Sequence, residues 1–234
     1  ANKDGYFINK INNKSCVLIS FIKGKQINNV LPQHCEQVGG ILSTLHTFTL
    51  DFKEKRINRM DYKQWESLFI KCKSFNSSKH KSILDLVEKE LLFLKNNWPD
   101  NLPRGIIHAD VFKDNVFFIN NVFSGLIDFY FSCYDFFAYD IALTINAWCF
   151  DEKINFDADK FKALIKGYEL KRSIISNEKK SLNILLRGAS LRILLTRIHD
   201  EIFHRHGAFV KPKDPWEYES ILKYHQHNNL ENYF

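Results

Sequence analysis

The chain predicts an α+β fold in which a mostly helical lobe carries a small inserted sheet. Short β-prone runs are confined to the first 22 residues and to the stretch Gly105–Asp128, whereas apolar residues recur at helical steps before and after that stretch. At 45% hydrophobic and 26% charged, the 234 residues suffice for one large core, or a large core with a small attached lobe.

Tyr6–Ile11 and Cys16–Ile22 are β-prone, and Asn12, Asn13 and Lys14 between them signal a hairpin. A lone two-stranded hairpin is marginal in water, so it must pack on something. Gly24 breaks the extended pattern and makes Phe21–Lys25 a candidate hinge. Pro32 opens a helix on which Val38, Ile41, Leu42, Leu45 and Phe48 form one apolar stripe. Gly39 and Gly40 cost that helix propensity and imply close packing against another segment. His46, near its end, is expected to be a structural hydrogen-bonding residue rather than a ligand. Asp61–Phe75 is the next helix, through Trp65, Leu68 and Phe69, and the polar run Asn76–Lys81 separates it from a helix over Ser82–Trp98. Ser82 followed by Asp85 reads as its cap, and Pro99, Asn101 and Pro103 stop it. Beyond the central stretch, Phe129–Tyr134 is aromatic and irregular. Asp135–Trp148, Asp157–Leu170 and Asn177–Phe203 read as helices, and Pro215 starts a last one anchored by Trp216, Tyr218, Ile221 and Leu222.

A formal charge of +6 suits a polyphosphate ligand as well as nucleic acid. No basic–aromatic ladder or base-reading motif accompanies it, so no nucleic-acid partner is expected. The five cysteines are odd in number and contain no CxxC pair, which reads as small buried hydrophobes in a reducing compartment rather than a disulfide frame or zinc site. The opening ANKDGYFINK lacks the apolar region of a signal peptide, and no uncharged apolar run reaches bilayer length. The expectation is a cytoplasmic protein without a membrane partner.

The stretch GIIHADVFKDNVFFINNVFSGLID reads as strand, loop, strand, turn, strand, carboxylate. His108, Asp110 and Asn115 spell HxDxxxxN, and Asp128 follows 13 positions later. Phosphoryl transfer needs an acceptor hydroxyl aligned with the terminal phosphate and metal ions on the phosphate oxygens. Asp110 would orient and deprotonate the hydroxyl, while the Asn115 amide oxygen and the Asp128 carboxylate would hold Mg²⁺ on the nucleotide. His108 suits bracing the loop better than acting as the base. Lys113 either offsets phosphate charge or is solvated, and Asp114 is assigned to the loop surface. Asp140, near the start of an apolar helix, is expected to accept bonds from the loop or from backbone N–H groups. Asp135 either caps that helix or receives a cationic substrate group. Arg187, Arg192 and Arg197 recur at steps of five, so they cannot share one narrow face; one or two turned inward would meet a carboxylate, and structural ion pairs fit each equally well.

IIHADVFKDNVFF followed by SGLIDFYFSCYDFFAYDIALTINAWC closely resembles the homoserine kinase branch of the aminoglycoside and choline kinase-like group, distantly related to protein kinases. The likeness extends to LISFIKGK, HCEQVGGILSTLH, LLRGASLRILLTRIHD and KDPWEYESILKYH, and is weakest over Asn58–Trp98. It implies a protein kinase-like fold and ATP-dependent, Mg²⁺-dependent phosphorylation of L-homoserine to O-phospho-L-homoserine, a step toward threonine. It carries over Asp110 as base, Asn115 and Asp128 as Mg²⁺ ligands, and the backbone of Ser20, Phe21 and Ile22 as the adenine contact. The pattern departs at the start, where the family's phosphate-cradling loop, nucleotide-gripping lysine and its glutamate partner have no match; Lys3, Lys10 and Lys14 are misplaced for that lysine. Residues 1–22 are therefore expected to be a remnant of the N-terminal nucleotide lobe and the start of the hinge, and 23–234 the catalytic and substrate lobe. The full-length protein is expected to be a monomer, and this chain to turn over little and to self-associate through its hairpin. Two other readings are a kinase for an amino-alcohol or aminoglycoside, and a noncatalytic remnant with a binding role.

Overall fold

The computed structural model describes residues 1–75, 77–204 and 211–234; Asn76, which opens the polar run noted above, lies outside them. Among the described residues the strands form three separate two-stranded antiparallel sheets, set among seven α-helices. Strands β1 (Ile8–Ile11) and β2 (Lys14–Val17) are shorter than expected and end before the hinge. Asn12 and Asn13 turn between them with φ of 49° and 61°, and Asn120 and Asn121 do the same at 50° and 64° between β4 (Val116–Ile119) and β5 (Val122–Leu126). Asparagine tolerates this left-handed region, which suits the right-handed twist of a two-residue hairpin. The sequence reading missed one strand: β3 (Arg104–Ile107) pairs with β6 (Cys133–Phe136) within the aromatic segment taken as irregular and helical.

The helices are α1 (Pro32–Phe48), α2 (Tyr62–Ser74), α3 (Lys81–Asn97), α4 (Phe137–Trp148), α5 (Ala158–Glu169), α6 (Ser176–Ile202) and α7 (Trp216–His227). Asp61 and Asp157 cap α2 and α5 through their side chains. The Ser82 cap is not formed, because a 3-10 turn over Ser78–His80 runs straight into α3 and leaves Ser82 inside the helix. The core joins α4, buried on nearly every side, to the apolar faces of α1, α5 and α6. No residue before Ile27 belongs to it, and Tyr6, Phe7, Ile8, Leu18, Ile19 and Phe21 are exposed. All five cysteines are free, and all but Cys16 are buried. No helix among the described residues is long and apolar enough to cross a membrane.

Two glycines set the approach of α1 to α5. A Cβ on Gly39 would lie 2.0 Å from the carbonyl oxygen of Leu164, and one on Gly167 would lie 1.9 Å from that of Glu36. Gly40 differs, since its nearest neighbour would be 3.6 Å away. The helices touch backbone to backbone, with His46 of α1 against Tyr168 of α5 and, on its other side, Asp140 of α4.

A buried polar relay runs through that contact. His46 Nε2 lies 3.0 Å from Asp140 Oδ2, and His46 Nδ1 lies 2.7 Å from the Tyr168 hydroxyl. Arg172 donates to the same hydroxyl at 3.1 Å and grips Glu178 at 2.9 Å through both carboxylate oxygens. The pattern closes if His46 is neutral: Nε2–H donates to Asp140 and Nδ1 accepts from Tyr168. Burial lowers the His46 pKa despite Asp140 beside it. For Asp140, burial works upward, but its bonds to His46 and to the backbone outweigh it and hold the carboxyl below the usual range. His225 is neutral for the same reason, its pKa lowered by burial to about 3.

Gly39→Ala is expected to destabilise the fold by about 2–3 kcal/mol through overpacking, whereas Gly40→Ala should stabilise it by up to about 1 kcal/mol through helix propensity. Chemical denaturation of the two variants beside the parent checks this; equal midpoints would refute the backbone contact. His225 binds a proton in the unfolded chain near pH 6.5 but not in the fold, so its contribution to stability is complete above that pH and falls as the pH drops toward about 3. Asp110 and Asp135, whose pKa values burial raises, act in the opposite sense, so the informative quantity is the parent-minus-His225→Gln stability difference. It should fall by about 1.2 kcal/mol between pH 6 and 5. A difference independent of pH would contradict a neutral, buried His225.

Candidate active site

The loop between β3 and β4 is held by hydrogen bonds to several of its amides and carbonyls. Asp140 accepts the N–H groups of His108 and Ala109, each at 2.8 Å, from the first turn of α4. Arg192 of α6 donates to the Ala109 carbonyl at 2.8 Å, and Trp148 to that of Val111 at 2.7 Å. Ala109 has φ of 63° without being glycine, a strain of about 1–2 kcal/mol that these buried bonds sustain. His108 accepts the Asp110 N–H at Nδ1 (3.2 Å) and donates from Nε2 to the carbonyl of Ile127 (3.1 Å). One imidazole thereby joins Asp110 to the residue before Asp128.

Asn115 donates to both the backbone oxygen (2.9 Å) and the carboxylate Oδ2 (3.0 Å) of Asp110. Its amide hydrogens are thus directed at Asp110, leaving its oxygen for a cation. Ile127 donates its N–H to the Asn115 carbonyl at 3.0 Å, which brings Asn115 and Asp128 side by side. Asp128 stands in the left-handed region at φ of 65° and is exposed. Helix α1 secures the outer end of this hairpin, since Gln37 donates to the Asn121 carbonyl at 2.8 Å and accepts the Phe123 N–H at 2.7 Å. Burial raises the Asp110 pKa, opposed by Arg192 and His108.

Asp110, Asn115 and Asp128 line one cleft of about 630 Å³. Its far wall is a face of α6 carrying Ile193, Thr196, Arg197 and Asp200, and Lys211 and Lys213 close its rim. Sequence reasoning missed Thr196, Asp200 and the two lysines. The i, i+3, i+4, i+7 spacing from Ile193 marks the α6 face, but no local pattern marks the lysines. Asp114 sits at the rim, exposed and paired with Lys213 at 2.5 Å.

Several expected site residues lie elsewhere. Lys113 lines neighbouring grooves beside Asp151 and Glu152, because the 3-10 turn over Lys113–Asn115 points it away from Asp110. Ser20, Phe21 and Ile22 do not line the cleft; Ile22 packs over Gly125, and the following Lys23 and Lys25 bond to Ser124 and Phe118 of the β4–β5 hairpin. Asp135 does not cap α4, whose cap position is Phe136; it lies in β6 and accepts a 2.7 Å bond from Asn58. The late arginines divide three ways. Arg187 forms a two-point ion pair with Glu90 at 2.6 and 2.7 Å, Arg192 is buried against the loop, and Arg197 borders the cleft.

Among the described residues no group of three or more His, Cys, Asp and Glu side chains is placed to hold a metal by itself. One carboxylate and one amide oxygen nevertheless suit magnesium, which takes few protein ligands beside water and phosphate oxygens.

Comparison with known proteins identifies the family. Residues 4–172 match the model of the phosphotransferase enzyme family. A homoserine kinase of Parvibaculum lavamentivorans is 41% identical over 225 residues, 96% of this chain and 70% of that protein. A homoserine kinase of Bartonella tribocorum is 42% identical over 215 residues, 92% and 67% of the two chains. The fold is similar to that of Plasmodium vivax ethanolamine kinase, with a TM-score of 0.65 at 13% identity, covering 97% of this chain and 68% of that one. Sequence and fold agree, and the chain belongs to the homoserine kinases of the phosphotransferase enzyme family.

Proposed function

We propose that the chain transfers the γ-phosphoryl group of ATP to the side-chain hydroxyl of L-homoserine, giving O-phospho-L-homoserine and ADP. The observation that carries this reading is the convergence of Asp110, Asn115 and Asp128 on one cleft, in a chain about 40% identical to homoserine kinases over most of its length. Asp110 is the base. Asn115 occupies its Oδ2, so Oδ1 receives the acceptor proton as the hydroxyl oxygen bonds to the γ-phosphorus and the bond to the β-phosphate oxygen breaks. Asn115 and Asp128 would hold magnesium, which supplies positive charge to the phosphate oxygens. The separation of the 1–22 hairpin from the core supports assigning it to the nucleotide side, with 23–234 forming the catalytic lobe.

The test is production of O-phospho-L-homoserine from Mg²⁺-ATP and L-homoserine, followed by phosphorus NMR in this chain and in any longer polypeptide its gene encodes. Asp110→Asn is expected to lower kcat by about 10²- to 10⁴-fold with little change in either KM. Asp128→Asn should raise the magnesium concentration needed for half-maximal rate. Retention of full kcat in Asp110→Asn would remove Asp110 as the base, and absence of the phosphorylated product in the wild-type proteins would overturn the reading.

A further inference from the structure

Resting on that functional reading, we infer that Arg197 receives the α-carboxylate of the acceptor and so restricts the site to amino acids rather than amino-alcohols. Arg197 stands on the wall of the cleft that also holds Asp110 and Asp128. Its guanidinium is fixed before any substrate arrives. Nη1 donates to the Asp214 carbonyl at 2.7 Å and to Glu217 at 2.6 Å, and the group lies over the Tyr218 ring at 4.6 Å from its centroid. These bonds use only Nη1. Among the described residues Nε and Nη2 make no hydrogen bond, and neither is a sealed, unpartnered atom as Arg192 Nε is. The Nε–Nη2 edge is the one that grips a carboxylate through two parallel bonds. A side chain pinned by one corner presents that edge at little further entropic cost.

The other cations are less suited. Glu90 takes both donor positions of Arg187, the loop backbone takes Arg192, and Asp114 takes Lys213. Lys211 is exposed on the rim and offers a point charge rather than a fork. Tyr218, under Arg197, has its ring 6.5 Å from that of Phe112, which lines the same cleft as Asp110 and Arg197. The arginine and the base therefore border one cleft. A hydroxyl on Asp110 and a carboxylate on Arg197 would bind the two ends of a short hydroxy-amino acid.

Steady-state kinetics with L-homoserine and with 3-aminopropan-1-ol, which is homoserine without its carboxylate, tests this in wild type, Arg197→Leu and Arg197→Lys. The amino-alcohol is read as a substrate or as a competitive inhibitor. Loss of a two-point charged contact predicts a fall of about 10- to 100-fold in kcat/KM for homoserine in Arg197→Leu, mostly in KM. The constant for 3-aminopropan-1-ol and the KM for ATP should stay within about 2-fold, since the lost contact touches neither. Arg197→Lys should lie between. The ratio of the two acceptors is internal to whatever fraction of enzyme is folded, and Glu217, left behind, is 44% exposed and easily solvated. Equal losses for both acceptors, or an unchanged ratio in Arg197→Leu, would overturn the assignment while leaving the homoserine reading intact. Wild-type enzyme that turns over no homoserine would overturn the functional reading itself, and this inference with it.

Discussion

The carboxylate of Asp140 is the constraint on which the rest of the site depends. It is fully buried, a position that costs several kcal/mol for an unpaired charge. Three donors compensate: the amides of His108 and Ala109 and the imidazole of His46. Two consecutive amides can meet one carboxylate only if the chain turns sharply between them, and Ala109 is held in the left-handed region accordingly. That turn delivers Asp110 into the cleft. Interactions in the core thereby fix the geometry of Asp110, the form of preorganisation that the proposed phosphoryl transfer requires.

The relay beyond His46 explains why the loop's anchor is itself rigid. Tyr168, Arg172 and Glu178 continue it from α5 to the start of α6, with the Tyr168 hydroxyl and both Glu178 carboxylate oxygens hydrogen-bonded. A half-satisfied network in this position would be costlier than an apolar one. The close approach of α1 to α5 at Gly39 and Gly167 accompanies the His46–Tyr168 contact between the same two helices, since a Cβ at either glycine would meet the facing backbone.

Helix α6 divides its labour along its length. Arg187 binds α3 through Glu90, Arg192 supports the loop from below, and Arg197 reaches the cleft. Steps of five residues rotate successive arginines around the helix, so each meets a different neighbour. The Asp110–Asp128 stretch and the cleft wall that faces it are thus distant in sequence, and α6 both supports the loop and supplies that wall.

Local pattern determined much of this protein. The helical stripes, the asparagine turns, the strand–loop–strand around HxDxxxxN and the close packing implied by Gly39 were legible because each depends on neighbouring residues. Asp110, Asn115 and Asp128 were legible for the same reason, being parts of one hairpin and its loop. What tertiary structure alone decided were contacts between segments far apart in sequence. Strand β6 forms because β3 offers it a partner, Asp135 accepts a bond from Asn58 of a distant segment, and Lys113 turns away from the cleft. The roles of the three late arginines were undecidable from spacing, because a guanidinium's function is set by whichever carboxylate, carbonyl or open cleft the fold brings to it, and none of those partners lies within its own stretch of chain.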